Sequence, residues 1–101
     1  MAVTTQTSSD GKTITIKIDG RFDFTNQKEF REAYKNQCDP GLLFQVELFA
    51  TEYMDSSALG MLLLLKEHAD NFNSKVVLKK PSEGIKKILD MANFSQQFDI
   101  Q

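Results

Sequence analysis

Apolar and polar residues alternate near the start of the chain, which is typical of a strand with one buried face. Isoleucine recurs at every second position over residues 14–18, between threonine and lysine side chains. The preceding Ser9-Asp10-Gly11 is typical of a tight turn. Residues 3–8 and 12–19 are therefore predicted to form an antiparallel β-hairpin that ends at Gly20.

Later segments repeat apolar residues at the spacing of an α-helix. The first is predicted over residues 26–38, with Asn26 and Glu29 as a capping box. The second is predicted over residues 55–72, and Pro81-Ser82-Glu83 opens the third. The side chains predicted to face the core are Phe30, Ala33, Tyr34 and Cys38 in the first helix, Ala58, Met61, Leu62, Leu65, Ala69 and Phe72 in the second, with Leu59, Leu63 and Leu64 widening that stripe, and Ile85, Ile88, Leu89 and Ala92 in the third.

Residues 42–49 are apolar on both faces apart from Gln45 and Glu47, which predicts a strand that is covered on both sides and therefore central in a sheet. Val76-Val77-Leu78 predicts a second buried strand, and residues 98–100 a short edge strand. The order of elements favours parallel later strands joined by right-handed crossovers. The predicted fold is α/β, with a mixed β-sheet (N-terminal antiparallel hairpin, then parallel strands) and three to four packed α-helices.

The chain of 101 residues has the usual size of one compact domain, and no Pro/Gly/Ser-rich stretch divides it. A single domain over residues 1–101 is therefore predicted. With 41% hydrophobic and 26% charged residues, the composition is that of a globular protein. The net charge of -2 disfavours nucleic acid as a partner, because phosphate backbones attract clustered Lys and Arg.

Cysteine content and export signals predict the compartment. Cys38 is the only cysteine, so no internal disulfide is expected. Residues 1–9 lack the charged start and apolar stretch of a signal peptide. The longest apolar run, residues 58–65, is far shorter than the ~20 residues of a membrane span. A cytoplasmic protein with no membrane span is expected.

Residues 48–57 carry the strongest candidate chemistry, because they run from the end of the buried strand into the second helix. Sites in open α/β sheets form at the carboxyl ends of strands. If Asp55 caps the helix, Ser56 and Ser57 occupy its first turn, where free backbone N–H groups and the helix dipole favour a phosphate. The same pattern is also that of an ordinary helix cap, which is its commoner cause.

Other reactive residue types form no recognisable site in the sequence. His68 is the only histidine and is predicted to be a solvent-facing helix residue rather than a metal ligand. Cys38 is predicted to be a small packed residue, because no histidine or basic cluster lies near it in sequence. The sequence has no Gly-x-Ser-x-Gly turn and no glycine-rich phosphate loop. We therefore expect no enzyme activity, no catalytic residue, no metal and no cofactor.

Two phenylalanines, Phe22 and Phe24, alternate with charged residues just before the first helix. One of them is predicted to pack inward. If the other is exposed beside Ser56, it supplies an apolar anchor for a partner protein.

Segments spread over the chain resemble the STAS domain, a family named for sulphate transporters and anti-sigma factor antagonists. Asp55-Ser56-Ser57-Ala58-Leu59-Gly60 is similar to the Asp-Ser-Ser or Asp-Ser-Thr of bacterial single-domain members, which is followed by Gly-Leu-Gly. Gly20-Arg21-Phe22-Asp23 resembles the family's Gly-x-Leu-Asp, with Asp23 at the acidic position. Residues 88–94 are similar to the family's third helix and the turn after it.

The resemblance implies a bacterial signal-transduction protein that regulates transcription or a related output by partner switching. In anti-sigma factor antagonists, the first serine after the aspartate is phosphorylated by a partner that is both serine kinase and anti-sigma factor, and a serine phosphatase reverses this. Carried over, the phosphorylated residue is Ser56, with Ser57 as fallback, and the unphosphorylated protein, expected to be a monomer, binds the partner. The residues implied in partner binding are Asp23, Phe24, Tyr53, Asp55, Ser56, Ser57 and Ala58.

The chain departs from the family pattern at Ala58, where the family has Gly, and at Glu47 and Phe49, where many members have Asp and Leu. The added methyl group of Ala58 favours helix and stiffens the turn. Two other functions fit the same fold: a STAS subunit of a lipid-transport ATPase complex, and a sensor that binds a small ligand or nucleotide. The Asp-Ser-Ser sequence favours the switch, because a purely structural subunit needs no phosphorylatable hydroxyl there.

Overall fold

The computed structural model describes residues 2–101, so Met1 of the predicted domain lies outside the described residues. The strands are β1 (Val3–Thr7), β2 (Thr13–Ile18), β3 (Gly20–Phe22), β4 (Leu43–Glu47), β5 (Thr51–Met54), β6 (Lys75–Lys79) and β7 (Asp99–Ile100). The helices are α1 (Gln27–Tyr34), α2 (Ser56–Asn71) and α3 (Glu83–Met91), and short 3-10 turns lie at Phe24–Asn26 and Phe94–Gln96.

The main sheet has the strand order β1-β2-β4-β6-β7. β1 and β2 are antiparallel, whereas the other neighbouring strands are parallel. This arrangement confirms the predicted α/β fold with a mixed sheet, an N-terminal hairpin and a central β4. The predicted strand at residues 76–78 and the edge strand at residues 98–100 are present as β6 and β7.

One face of the main sheet forms the floor of the core. The register places Ile14 beside Phe44 and Ile16 beside Val46, and all of these side chains are fully buried. On the opposite face Val77 is buried, but Thr15 and the β4 residues Leu43, Gln45 and Glu47 are only partly buried. β4 is therefore not fully covered on both sides, contrary to the prediction from its sequence. Buried side chains of α1, α2 and α3 join the same cluster as the isoleucines, so these helices pack on one face of the sheet.

The sequence pattern does not predict a second sheet, in which β3 and β5 pair in parallel. Gly20 enters β3 with a φ of 76°, a left-handed conformation that favours glycine, and its N–H donates to the Ala50 carbonyl at 2.9 Å. The Thr51 hydroxyl donates to the Ile18 carbonyl at 2.9 Å. These bonds tie the loop after β4 to the end of the hairpin and bring the two short strands together.

The first helix begins where the sequence predicts, with Asn26 at the N-cap position, but Asn26 makes no side-chain cap to it. The helix ends earlier than predicted, at Tyr34. The capping box lies three residues earlier: Asp23 caps the 3-10 turn, and the Asn26 Oδ1 accepts from the Asp23 N–H at 2.9 Å. Cys38 lies beyond the helix and is exposed, so the prediction of a packed cysteine is wrong.

The second and third helices begin where the sequence predicts, after the caps Asp55 and Ser82. The predicted inward stripe of α2 is buried except for Phe72, which caps the carboxyl end and is 37% exposed. Leu63 and Leu64 do not extend the buried stripe, since both are exposed. No helix within residues 2–101 has both the length and the apolar character needed to cross a membrane.

His68 is not the solvent-facing residue that its sequence context predicts. Its half-buried ring packs against Tyr34 and Phe72, with ring centroids 5.0 Å away in each case. Its Nε2 donates to the Gln37 carbonyl at 2.8 Å. The histidine therefore ties α2 to the segment that follows α1.

Candidate functional site

The short strands β3 and β5 end side by side. Phe22 pairs with Met54, so the next residues, Asp23 and Asp55, leave the second sheet at the same edge. Asp23 caps the 3-10 turn that leads into α1, and Asp55 caps α2. The amino ends of two helical segments therefore lie next to each other, as in sites formed at the carboxyl ends of parallel strands.

Asp55 acts as the helix cap that the sequence predicts. Its backbone is extended (φ -118°, ψ -173°), and its Oδ1 accepts from the Ala58 N–H at 3.1 Å. Ser56 and Ser57 follow as the first residues of α2, and both are exposed. The carboxylate of Asp55 is thus used to cap the helix, and the neighbouring serines remain at the protein surface.

The carboxylate of Asp23 accepts hydrogen bonds from neighbouring residues of its own loop, and the residue is only 8% exposed. It accepts from the Thr25 hydroxyl and, at 3.0 Å, from the Thr25 N–H. Arg21 adds a charged contact, with its Nε 3.3 Å from Oδ2. These donors, Thr25 first, hold the pKa of Asp23 below its ordinary value of 3.8.

Arg21 links the two short strands through their side chains. It stands opposite Tyr53 in the β3–β5 register, and its guanidinium lies 4.0 Å from the centre of the tyrosine ring. Cation–π contacts of this kind contribute about 0.5–1 kcal/mol at exposed sites. Tyr53 is 40% exposed, so this contact lies at the protein surface.

Phe22 and Phe24 divide as predicted, one inward and one outward. Phe22 is fully buried, whereas Phe24 is 68% exposed. Phe24 lies beside Ser57 rather than Ser56, at a shallow groove of about 280 Å³ between α1 and α2. The groove is lined by Phe24, Gln27, Ser57, Gly60, Met61 and Leu64.

Ala58, the position where the chain departs from the Gly of the STAS pattern, is fully buried. It belongs to the core cluster, so its methyl group packs inward and is not itself on the surface. Among residues 2–101, no group of three or more His, Cys, Asp or Glu side chains is arranged to hold a metal ion. The functional groups of the site are therefore surface hydroxyls, two aspartates that cap helical segments, and exposed aromatic rings.

Parts of this arrangement escape sequence reasoning. Arg21, Gly60 and Leu64 were not among the predicted site residues, although each borders a predicted one. One signal was available for Leu64: the apolar stripe of α2 is wider than one helix face, and the surplus leucines lie at the surface.

Comparisons with known proteins place this geometry in context. A family model described as "Mlab, STAS domain" matches residues 5–100. A STAS-domain containing protein of Pseudomonas aeruginosa (strain UCBPP-PA14) is 45% identical over 100 residues, which cover 99% of this chain and 99% of that protein.

The structures of an anti-sigma factor antagonist have the same fold. The unphosphorylated form of SpoIIAA superposes with a TM-score of 0.74 at 16% identity, covering 99% of this chain and 87% of that one. The phosphorylated form of the Bacillus cell fate determinant SpoIIAA superposes with a TM-score of 0.70 at 15% identity, covering 99% and 91%. At such identities the likeness concerns the fold alone.

Proposed function

The chain belongs to the STAS domain family, and we propose that it is a binding protein of bacterial signalling that is switched by phosphorylation of Ser56. Its STAS fold is similar to that of anti-sigma factor antagonists and supports a general regulatory role. The observation that carries the proposal is the exposed Ser56 hydroxyl in the first turn of α2, directly after the Asp55 cap.

The two serines differ in their surroundings, and this favours Ser56 as the phosphorylated residue. Successive helix residues are turned by about 100° from each other, so Ser56 and Ser57 project from different sides of α2. Ser57 lines the groove beside Phe24, whereas Ser56 does not. Ser56 is therefore the hydroxyl that a kinase reaches without entering the groove, and it is also the serine that the STAS pattern implies.

A phosphate at Ser56 is compatible with the folded domain. It carries about -1.5 to -2 charges near neutral pH. The free N–H groups and positive dipole end of the first turn of α2 favour it by up to ~1 kcal/mol, whereas the neighbouring Asp55 carboxylate repels it. Because these two effects oppose each other, we expect little change in the free energy of unfolding.

Binding to a partner has no such compensation. We propose that a kinase of the anti-sigma type docks on the edge formed by Tyr53, Asp55 and Ser56 while the hydroxyl is neutral, and that a phosphatase restores this state. A phosphate inside that interface is an ill-matched buried charge, which costs ~3 kcal/mol or more and lowers affinity by about a hundredfold. Phosphorylation then releases the partner.

A constitutive STAS subunit of a lipid-transport ATPase complex is the second candidate. The exposed Phe24 and Leu64 next to the serines favour it, because permanent interfaces bury apolar side chains. Such a subunit stays bound to its ATPase after phosphatase treatment and needs no hydroxyl at position 56, whereas the proposed switch needs one.

Intact-mass and phosphopeptide analysis of protein from its native cell tests the proposal. We expect a singly phosphorylated population that is modified at Ser56, absent in Ser56→Ala and retained in Ser57→Ala. A phosphate that is lost only in Ser57→Ala would show that Ser57 is the phosphorylated residue. No modification in either the native protein or the protein incubated with its kinase and ATP contradicts the switch.

A further inference from the structure

The exposed sides of α1 and α2 enclose a continuous groove. Its head, of about 280 Å³, begins at Ser57 and Phe24. Its tail, of about 390 Å³, shares Gln27 and Leu64 with the head and continues to Asn71. Between Ser57 and Asn71, α2 rises by about 21 Å, the length of four turns of helix.

The head of the groove is apolar and notched. Phe24 and Leu64 form its walls and are 68% and 52% exposed. Gly60 lines the same part of the groove, and a Cβ added there meets no atom within 4 Å, so the space above the glycine is open. A large apolar side chain of another protein fits such a notch, and anchors of this kind carry much of the free energy of binding.

The tail of the groove has a basic wall. Arg31 of α1 and Lys35, which directly follows α1, line it. Lys28 extends the row, since residues spaced by three and four share one face of a helix. All of them are exposed, and neither of the ion pairs formed within residues 2–101 involves them. Glu67 of α2 also lines the tail and contributes its carboxylate.

We propose that this groove binds an amphipathic, acidic helix of the regulated partner protein. Leucine-like side chains of that helix would fill the notch over Gly60, and its carboxylates would lie along Lys28, Arg31 and Lys35, as in helix-in-groove recognition. The inference rests on the proposed function and deepens it: Ser57, which borders the head of the groove, is the direct neighbour of Ser56, so the acidic helix would enter one residue away from the proposed phosphate.

The direct probe is a pair of synthetic, helix-stapled peptides of about 15 residues, which span ~22 Å as helices. Both carry leucine at helical spacing, and they differ only in glutamate or lysine on the flanks. Titrated into unmodified, isotope-labelled protein, the acidic peptide should shift the amide signals of Gly60, Leu64 and Arg31. It should bind about tenfold tighter than the basic one, with a preference that salt weakens.

The matched variants are Gly60→Ala and Gly84→Ala. Both glycines are exposed helix residues with open space around a new Cβ, so both changes should leave the melting temperature unchanged or raise it. Gly60→Ala adds a methyl group inside the notch and should lower the affinity for the acidic peptide by about tenfold. Gly84→Ala, on α3, should bind the peptide as the parent protein does.

Several results would overturn the inference: no binding of the acidic peptide, equal binding of both peptides, shifts confined to other surfaces, or unchanged affinity in Gly60→Ala. A dimer in sedimentation that Leu64→Glu abolishes would identify a second copy as the occupant, and would overturn it too. These assays use neither kinase nor phosphate, so a negative result would contradict the groove proposal and leave the Ser56 switch untouched.

Discussion

Asp23 shows how a residue of the site acts on the fold as well as on the surface. Its carboxylate accepts from Thr25 and Arg21, and its backbone N–H donates to Asn26. Asp23 therefore holds together the loop that presents Phe24 and starts α1. We propose that Asp23 supports partner binding by shaping this loop, because the buried carboxylate is already engaged.

The lowered pKa of Asp23 predicts a contribution to acid sensitivity. A carboxyl group with a lower pKa in the folded state contributes stability above its unfolded pKa, near 3.8, and that stability is lost as pH falls through the folded value. Asp23→Asn retains capping ability but cannot titrate. Urea unfolding at pH 6 and at about pH 2.5 should therefore show a smaller loss of stability in Asp23→Asn than in the parent. An equal loss in both proteins would contradict this role.

Local chemistry explains which of these residues the sequence predicts. Asp55 is recognised as a cap because its partner is only three residues away, at Ala58. The cap at Asp23 is missed, since it caps the 3-10 turn that precedes α1 rather than α1 itself. His68 is misjudged for a different reason: two of its aromatic neighbours, Tyr34 of α1 and Phe44 of β4, are far away in sequence.

The two faces of α2 do different things, and neighbouring leucines separate them. Leu65 is fully buried in the core, whereas Leu64 is 52% exposed on the groove. Leu65→Ala should lower the free energy of unfolding by about 2–5 kcal/mol, because it leaves a cavity. Leu64→Ala removes the same atoms at the surface and should change it by no more than about 0.5 kcal/mol.

Chemical denaturation of both alanine variants beside the parent protein measures this difference. Similar destabilisation by the two substitutions would show that the inward face of α2 is assigned incorrectly. The Leu64→Ala variant also serves binding experiments, since it keeps the fold while it removes one wall of the groove.

Elements with strong periodicity are predictable from the sequence, and the short ones are not. The hairpin, β4, β6, α2 and α3 each have a clear period or cap. β3 and β5 have three and four residues, too few for a pattern, and they pair across about 30 positions. A further bond, from Thr51 of β5 to Ile18 of β2, holds β5 near the end of the hairpin. Those strands position Asp23 and Asp55, so the geometry of the site is what the sequence could not predict.

The architecture separates the core from the proposed switch. The helices pack on one face of the main sheet, and the second sheet carries the serines to an edge where α2 begins. A phosphate there touches backbone ends and solvent rather than the core. Under the proposed switch, phosphorylation is therefore expected to change binding and to leave the fold intact.

The central claim is tested most directly by comparing protein phosphorylated at Ser56 with unmodified protein, in a thermal melt and in a titration with the kinase partner. The melting temperatures should agree closely, because the dipole and Asp55 effects oppose each other. The affinity of the phosphorylated form should be about a hundredfold lower, which corresponds to about 3 kcal/mol. Equal affinity of the two forms, or loss of the folded state on phosphorylation, would contradict the account.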